Sequence, residues 1–152
     1  MKRKVLAGLL TVVMAAGFVA VPGMQTEVKA DDKKLVGVAM PTKDLQRWNQ
    51  DGENMKKSLE DAGYEVDLQY ASNEVATQVS QVENMISNGC DILVIASIDG
   101  SSLGEPLSQA KEAGIPVIAY DRLLMESDAV SYYATFDNYM VCLLYTSDAA
   151  DD

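Results

Sequence analysis

Short apolar runs and amphipathic stretches alternate along most of this chain. Leu35-Val36-Gly37-Val38-Ala39-Met40 is an apolar run stopped by Pro41, which predicts a buried strand. Trp48, Met55, Leu59 and Ala62 then recur at helical spacing, and Gly63 marks the helix end. Val66, Leu68 and Tyr70 alternate with Asp67 and Gln69, the pattern of a strand nearer a sheet edge. Val75, Val79, Val82 and Ile86 form a second amphipathic stripe, closed by Asn88-Gly89. Ile92-Leu93-Val94-Ile95-Ala96 is continuously apolar and predicts a strand buried on both faces. Leu103, Leu107 and Ala110 give a third helix ending at Gly114. A fourth strand follows at Val117–Tyr120, a fifth at 132–136, and a new helix begins near Asn138.

The resulting order, β-α-β-α-β-α-β-β with short connections, predicts an α/β fold. Its expected form is a parallel, Rossmann-like sheet with right-handed crossovers and helices on both faces. No internal repeat or low-complexity linker interrupts it. Where a dinucleotide fold would carry a Gly-rich phosphate loop, Met40-Pro41-Thr42-Lys43-Asp44 stands instead. Pro41 has no amide hydrogen for an anion, and no tight glycine turn opens the helix.

Two segments fall outside this pattern. Lys2-Arg3-Lys4 precedes an apolar run at 5–21, Pro22-Gly23 breaks it, and Val28-Lys29-Ala30 places small residues at a cleavage site. This is the layout of a secretory signal peptide over residues 1–30, with a mature start at Asp31. An uncleaved anchor is the alternative, with the run at the bottom of the membrane-spanning range. No cysteine follows the run to take a lipid. Residues 142–152 continue no earlier periodicity and resemble the translation of a transposase sequencing adapter. That resemblance implies a non-native tail and a native-like segment of 31–141.

Composition then narrows the chemistry. The 152 residues carry 12 Lys+Arg against 23 Asp+Glu, a net charge of −11, which argues against nucleic-acid binding. No histidine is present, which removes the usual general base and metal ligand. Cys90 and Cys142 match no metal spacing. A disulfide between them suits an exported protein, but only if Cys142 is native. No cofactor, metal or catalytic residue is expected.

In a parallel sheet, the strand ends share one edge, and ligands sit just beyond it. The first strand is followed by Lys43, Asp44, Arg47 and Trp48, the fourth by Asp121 and Arg122, and the fifth by Asp137 and Asn138. A carboxylate accepts hydrogen bonds and a guanidinium donates them in a planar fork, so the Asp121-Arg122 pair suits vicinal sugar hydroxyls. Trp48 offers an aromatic face for the C–H face of a sugar ring. Each residue also has a plainer reading. Trp48 begins the apolar stripe of its helix, Arg47 is a helix-start charge, Asp137 is a helix cap, and Asp121-Arg122 is a loop-ordering ion pair. Ser97-Ile98-Asp99-Gly100-Ser101 reads as turn and cap chemistry first and as a ligand contact second.

Several motifs together resemble the periplasmic sugar-binding proteins of bacterial ABC transporters, of the xylose and multiple-monosaccharide receptor type. They are Val38-Ala39-Met40-Pro41-Thr42-Lys43, Arg47-Trp48, Gln81-Val82-Glu83-Asn84-Met85-Ile86, Val94-Ile95-Ala96-Ser97-Ile98-Asp99-Gly100, Ile118-Ala119-Tyr120-Asp121-Arg122 and Ser131-Tyr132-Tyr133-Ala134-Thr135-Phe136-Asp137-Asn138. The resemblance spans nearly all of 33–141. It implies the N-terminal lobe of a type I periplasmic binding protein, incomplete, whose second lobe and hinge are absent. It places Arg47, Trp48, Asp121, Arg122, Asp137 and Asn138 at sugar contacts, with Lys43 less firmly placed. It implies a periplasmic or extracellular protein that is not an enzyme. Its ligand would be a monosaccharide, and its partners an ABC permease and, as a second role, a chemoreceptor. The same fold serves as the effector domain of sugar-responsive transcriptional regulators, the alternative function. A Rossmann-like enzyme would need a histidine, a nucleophile elbow or a phosphate loop. Which sugar is bound is not legible here.

Overall fold

The computed structural model describes residues 33–140, 142 and 143. The chain runs β1 (Leu35–Met40), α1 (Gln46–Asp61), β2 (Glu65–Tyr70), α2 (Val75–Ser87), β3 (Ile92–Ile95), α3 (Gly104–Glu112), β4 (Val117–Tyr120) and β5 (Val130–Ala134). The strands form one sheet in the order β2-β1-β3-β4-β5, and every pairing is parallel. The expected α/β class and parallel sheet are therefore present. β2 lies on an edge, and β3 is buried along Leu93, Val94 and Ile95.

Alternation along the strands divides the core in two. Val36, Val38 and Met40 of β1 point to one face, where they pack with Trp48, Met55 and Leu59 of α1. Ala39 points to the other face, with Val82 and Met85 of α2 and Leu107 and Ala110 of α3. A period of two in the strands meets a period of 3.6 in the helices, which is why single stripes suffice to cover each face. Burying a side chain such as Leu93 or Ile95 contributes about 1.5–3 kcal/mol. Gly63 and Gly89 end α1 and α2 with positive φ (93° and 80°), a conformation that glycine adopts without steric cost.

The fifth strand departs from the expected 132–136, beginning at Val130 and ending at Ala134. Val117 pairs with Val130, but Ile118 pairs with Tyr132, so Ser131 is an extra residue in the ladder. Such a bulge breaks the period-two signal at the strand's start, leaving only its aromatic half legible. β5 exposes Tyr132 and Tyr133, and Phe136, Tyr139 and Met140 beyond it are exposed too.

The expected leader lies outside the described residues, as do positions 144–152 of the expected tail. Residues 138–140, 142 and 143 are helical, so the helix expected near Asn138 is present.

Strand order reverses at β1. The chain steps outward from β1 to β2, and then builds β3, β4 and β5 on the other side. The crevice at such a switch point, beyond the carboxyl ends of the strands, is the usual ligand position in an open α/β sheet.

Candidate functional site

Arg47 lies in the first turn of α1. A cation there opposes the helix macrodipole, so the sequence breaks a local rule at this position. Two carboxylates offset it. Arg47 Nη2 donates to Asp121 Oδ1 at 2.5 Å, and Arg47 Nε lies 3.6 Å from Asp51 Oδ2, one helical turn along. The hydrogen bond to Asp121 is the main reason that the Arg47 pKa rises above its ordinary value. The guanidinium carbon also lies 4.7 Å from the centre of the Trp48 ring and 5.0 Å from that of Phe136. Both separations are within cation–π range.

Asp121 leaves β4 with φ of 62°, a left-handed conformation that aspartate tolerates better than most residues. The neighbouring strand holds it there. Its amide donates to Ala134 O at 2.7 Å. Its carbonyl accepts from Tyr133 Oη at 3.0 Å and Thr135 Oγ1 at 3.4 Å. Next to it, Arg122 Nη1 donates to Ser97 O at the end of β3, 2.9 Å away. The Arg122 guanidinium lies 5.1 Å from the Trp48 ring centre. Trp48 itself is only 3% exposed. In this arrangement the indole belongs to the core, and two guanidiniums rest within reach of its ring.

Beneath the pair, the Tyr120 hydroxyl is pushed up in pKa, by burial first and then by the charge of Asp51. On the β3 side, buried Gln78 bridges Ala96 O (2.9 Å) and Ile98 N (2.8 Å), fixing the chain as it leaves the sheet. The Asp99 carboxylate accepts from Ser101 N, Ser101 Oγ and Ser102 Oγ. Those bonds, with Ser102 contributing most, hold its pKa below the usual range. The segment after β3 thus carries the turn chemistry read from its sequence.

The structure therefore brings Arg47, Trp48, Asp121 and Arg122 together. Asp137 and Asn138 lie further along the same edge. Asp137 Oδ1 accepts from Met140 N at 3.0 Å, a helix-capping bond. Asn138 donates its amide to Phe136 O at 3.0 Å and is exposed. Lys43 is turned elsewhere, 5.1 Å from the Tyr70 ring centre and 3.9 Å from Glu53 Oε1. Three participants were not singled out from sequence. Asp51 had a usable signal, its spacing of four from Arg47 on one helix face. Phe136 had a weaker one, its place beside Asp137 after a strand. The Ser97 carbonyl had none, because every residue carries one.

Each guanidinium carries five N–H donors, more than these contacts use among the described residues. The site can therefore donate several hydrogen bonds and accept through a carboxylate, above an aromatic floor. Among the described residues no group of three or more metal-ligating side chains gathers.

The description "periplasmic binding protein domain" belongs to the family model that matches residues 36–143. The chain is 49% identical over 137 residues to the multiple sugar-binding periplasmic receptor ChvE of Rhizobium radiobacter, covering 90% of this chain and 39% of that protein. It is 39% identical over 117 residues to the D-xylose-binding periplasmic protein of Escherichia coli, covering 76% and 35% respectively. A crystal structure of an ABC transporter solute binding protein from Clostridium phytofermentans, with bound β-D-glucose, aligns with a TM-score of 0.70 and 82% identity. That alignment covers 71% of this chain and 33% of the other. A carbohydrate transporter solute binding protein from Chloroflexus aurantiacus, in complex with D-glucose, aligns at 0.71 with 36% identity, covering 78% and 36%. The chain spans about two fifths of the length of the curated relatives it matches. With a doubly wound parallel sheet and a polar cluster at its switch point, the chain belongs to the periplasmic binding protein family.

Proposed function

We propose that this chain supplies the N-terminal, sugar-recognising lobe of an exported receptor that captures a monosaccharide for an ABC importer. The ligand class is an aldopyranose of the glucose, galactose or xylose kind. The observation that carries this reading is the meeting of Arg47, Asp121 and Arg122 beside Trp48 at the carboxyl edge of the sheet. Vicinal hydroxyls both donate and accept, so a carboxylate paired with the Arg47 guanidinium, with the Arg122 guanidinium over the same Trp48 ring, suits them. Asp137 and Asn138, on the same edge, complete the hydroxyl contacts, and Lys43 is the outermost candidate.

The names of the relatives support the same class, since they are receptors for sugars and two of the solved neighbours hold glucose. A second lobe, joined through a hinge, would close over the sugar and supply the remaining hydrogen bonds. Closure then gives the permease, and in a second role a chemoreceptor, a surface that the open form lacks. The effector domain of a transcriptional regulator is not favoured by these relatives.

Isothermal titration tests the proposal. The receptor containing residues 33–140 together with its second lobe is titrated with glucose, galactose and xylose. Saturable heat with at least one of them is expected. No heat with any pentose or hexose overturns the reading.

A further inference from the structure

We infer that Asp51 is a positioning residue for the sugar site, which holds the Arg47 guanidinium in the orientation that meets Asp121. The inference rests on the receptor reading above. Asp51 Oδ2 is buried, with no hydrogen-bond partner among the described residues. Its ion pair is with Arg47 Nε at 3.6 Å, beyond hydrogen-bond range but within reach of electrostatic attraction. Along the same edge of that guanidinium, Nη2 reaches Asp121. A planar fork gripped at Nε and at Nη2 has its rotation fixed, and its remaining Nη hydrogens keep one direction. Asp51 also lies beside Tyr120, whose hydroxyl feels both its charge and a hydrogen bond to its carboxylate. Asp51 thus faces the guanidinium from the next turn of α1, while Asp121 meets it from the end of β4.

An ordinary pair spaced by four on a helix is solvent-exposed at both ends and adds a few tenths of a kcal/mol to helix stability. The Asp51 side chain is only 24% exposed, and it faces a residue that itself points away from the helix toward another strand end. Stabilising α1 does not require that burial.

The test is a double-mutant cycle on sugar affinity in the two-lobed receptor. Asp51→Asn keeps the shape and removes the charge. It is expected to weaken binding about tenfold, the scale of coupling within one polar network. Asp51→Glu restores the charge and should recover most of that loss. In an Arg47→Met background, Asp51→Asn should cost nothing further, because no guanidinium remains to orient. An equal loss in both backgrounds, or no loss in either, overturns the inference. A readout without sugar separates this from the receptor reading. Asp51→Asn should shift the Arg47 Nε–Hε NMR resonance, and an unmoved resonance overturns the positioning role even if sugar binds. If the unmutated receptor binds no sugar, the receptor reading fails, and the resonance still decides whether Asp51 holds Arg47.

Discussion

Arg47 Nη2 and Asp121 Oδ1 meet at 2.5 Å although 74 positions separate them in the chain. The pair ties the first turn of α1 to the end of β4 across the point where strand order reverses. Neither residue is in a comfortable local setting. Arg47 opposes its own helix dipole, and Asp121 holds a left-handed backbone. Local rules broken in pairs at one edge are what marks this edge as the candidate site.

Asp121→Asn is expected to preserve the fold, because asparagine also tolerates the left-handed region. Removing the charge converts a charge-assisted bond into a neutral one, a difference of about 1 kcal/mol before solvent screening at the half-exposed Arg47 reduces it. Sugar affinity of the two-lobed receptor should fall at least about tenfold by titration calorimetry. The melting temperature should barely move, since partly exposed ion pairs contribute little to stability. Unchanged affinity would remove Asp121 from the site.

Gln78→Leu should destabilise the lobe. Gln78 is 1% exposed and satisfies both Ala96 O and Ile98 N. Leucine fills similar space but leaves both backbone groups without that partner, at a cost of about 2–4 kcal/mol. Urea denaturation of the isolated chain measures this directly, and a loss below the error of the fit would contradict the bridging role.

Gly37→Ala tests packing between β1 and the α2 face. A methyl there would come within 2.9 Å of Met85 Sδ, 3.0 Å of Leu93 Cδ2 and 3.2 Å of Cys90 Sγ. Methionine is flexible, but three neighbours cannot all retreat, so overpacking of about 1–3 kcal/mol is expected. A melting temperature equal to that of the parent chain would show the core to be looser than this geometry.

Cys90 links stability to alkaline pH. Burial, with smaller contributions from Asp67 and Asp91, pushes its thiol from 9.0 to about 11. The unfolded thiol loses its proton first, so the folded state binds more protons between those values. The stabilising effect is complete below about pH 9 and is lost as pH rises toward about 11. Denaturation midpoints should therefore fall over that window, and less steeply in Cys90→Ala. In a Cys142→Ser chain, Ellman's reagent at pH 8 should label the thiol only after denaturant is added. Rapid labelling of the folded chain would show the thiol to be accessible.

Much of the fold was legible because its signals are local. The runs ending at Met40, Ala96 and Tyr120, the stripes of Trp48, Met55 and Leu59, and the glycines closing the helices each depend on neighbours within a turn or two. The start of β5 was not legible, because the bulge at Ser131 is defined by its partner strand rather than by its own sequence. The candidate site was legible as a set of strand-end residues, since parallel topology alone brings those ends to one edge. Its internal wiring was not. Lys43 and Arg47 are both basic and follow the same strand. Tertiary packing sends one toward Tyr70 and Glu53 and the other toward Asp121.

By itself, then, the amino-acid order determined the alternation of elements, the parallel sheet and the residue types available at its edge. Those follow from side-chain periodicity and turn chemistry, which act over a few residues. Only the tertiary structure decided that Asp51 and Asp121 share one guanidinium, that Arg122 is anchored on the Ser97 carbonyl, and that Trp48 is buried beneath both arginines. These are contacts between atoms distant in the chain. Their energies depend on distance and burial, which exist only once the strands have been laid side by side.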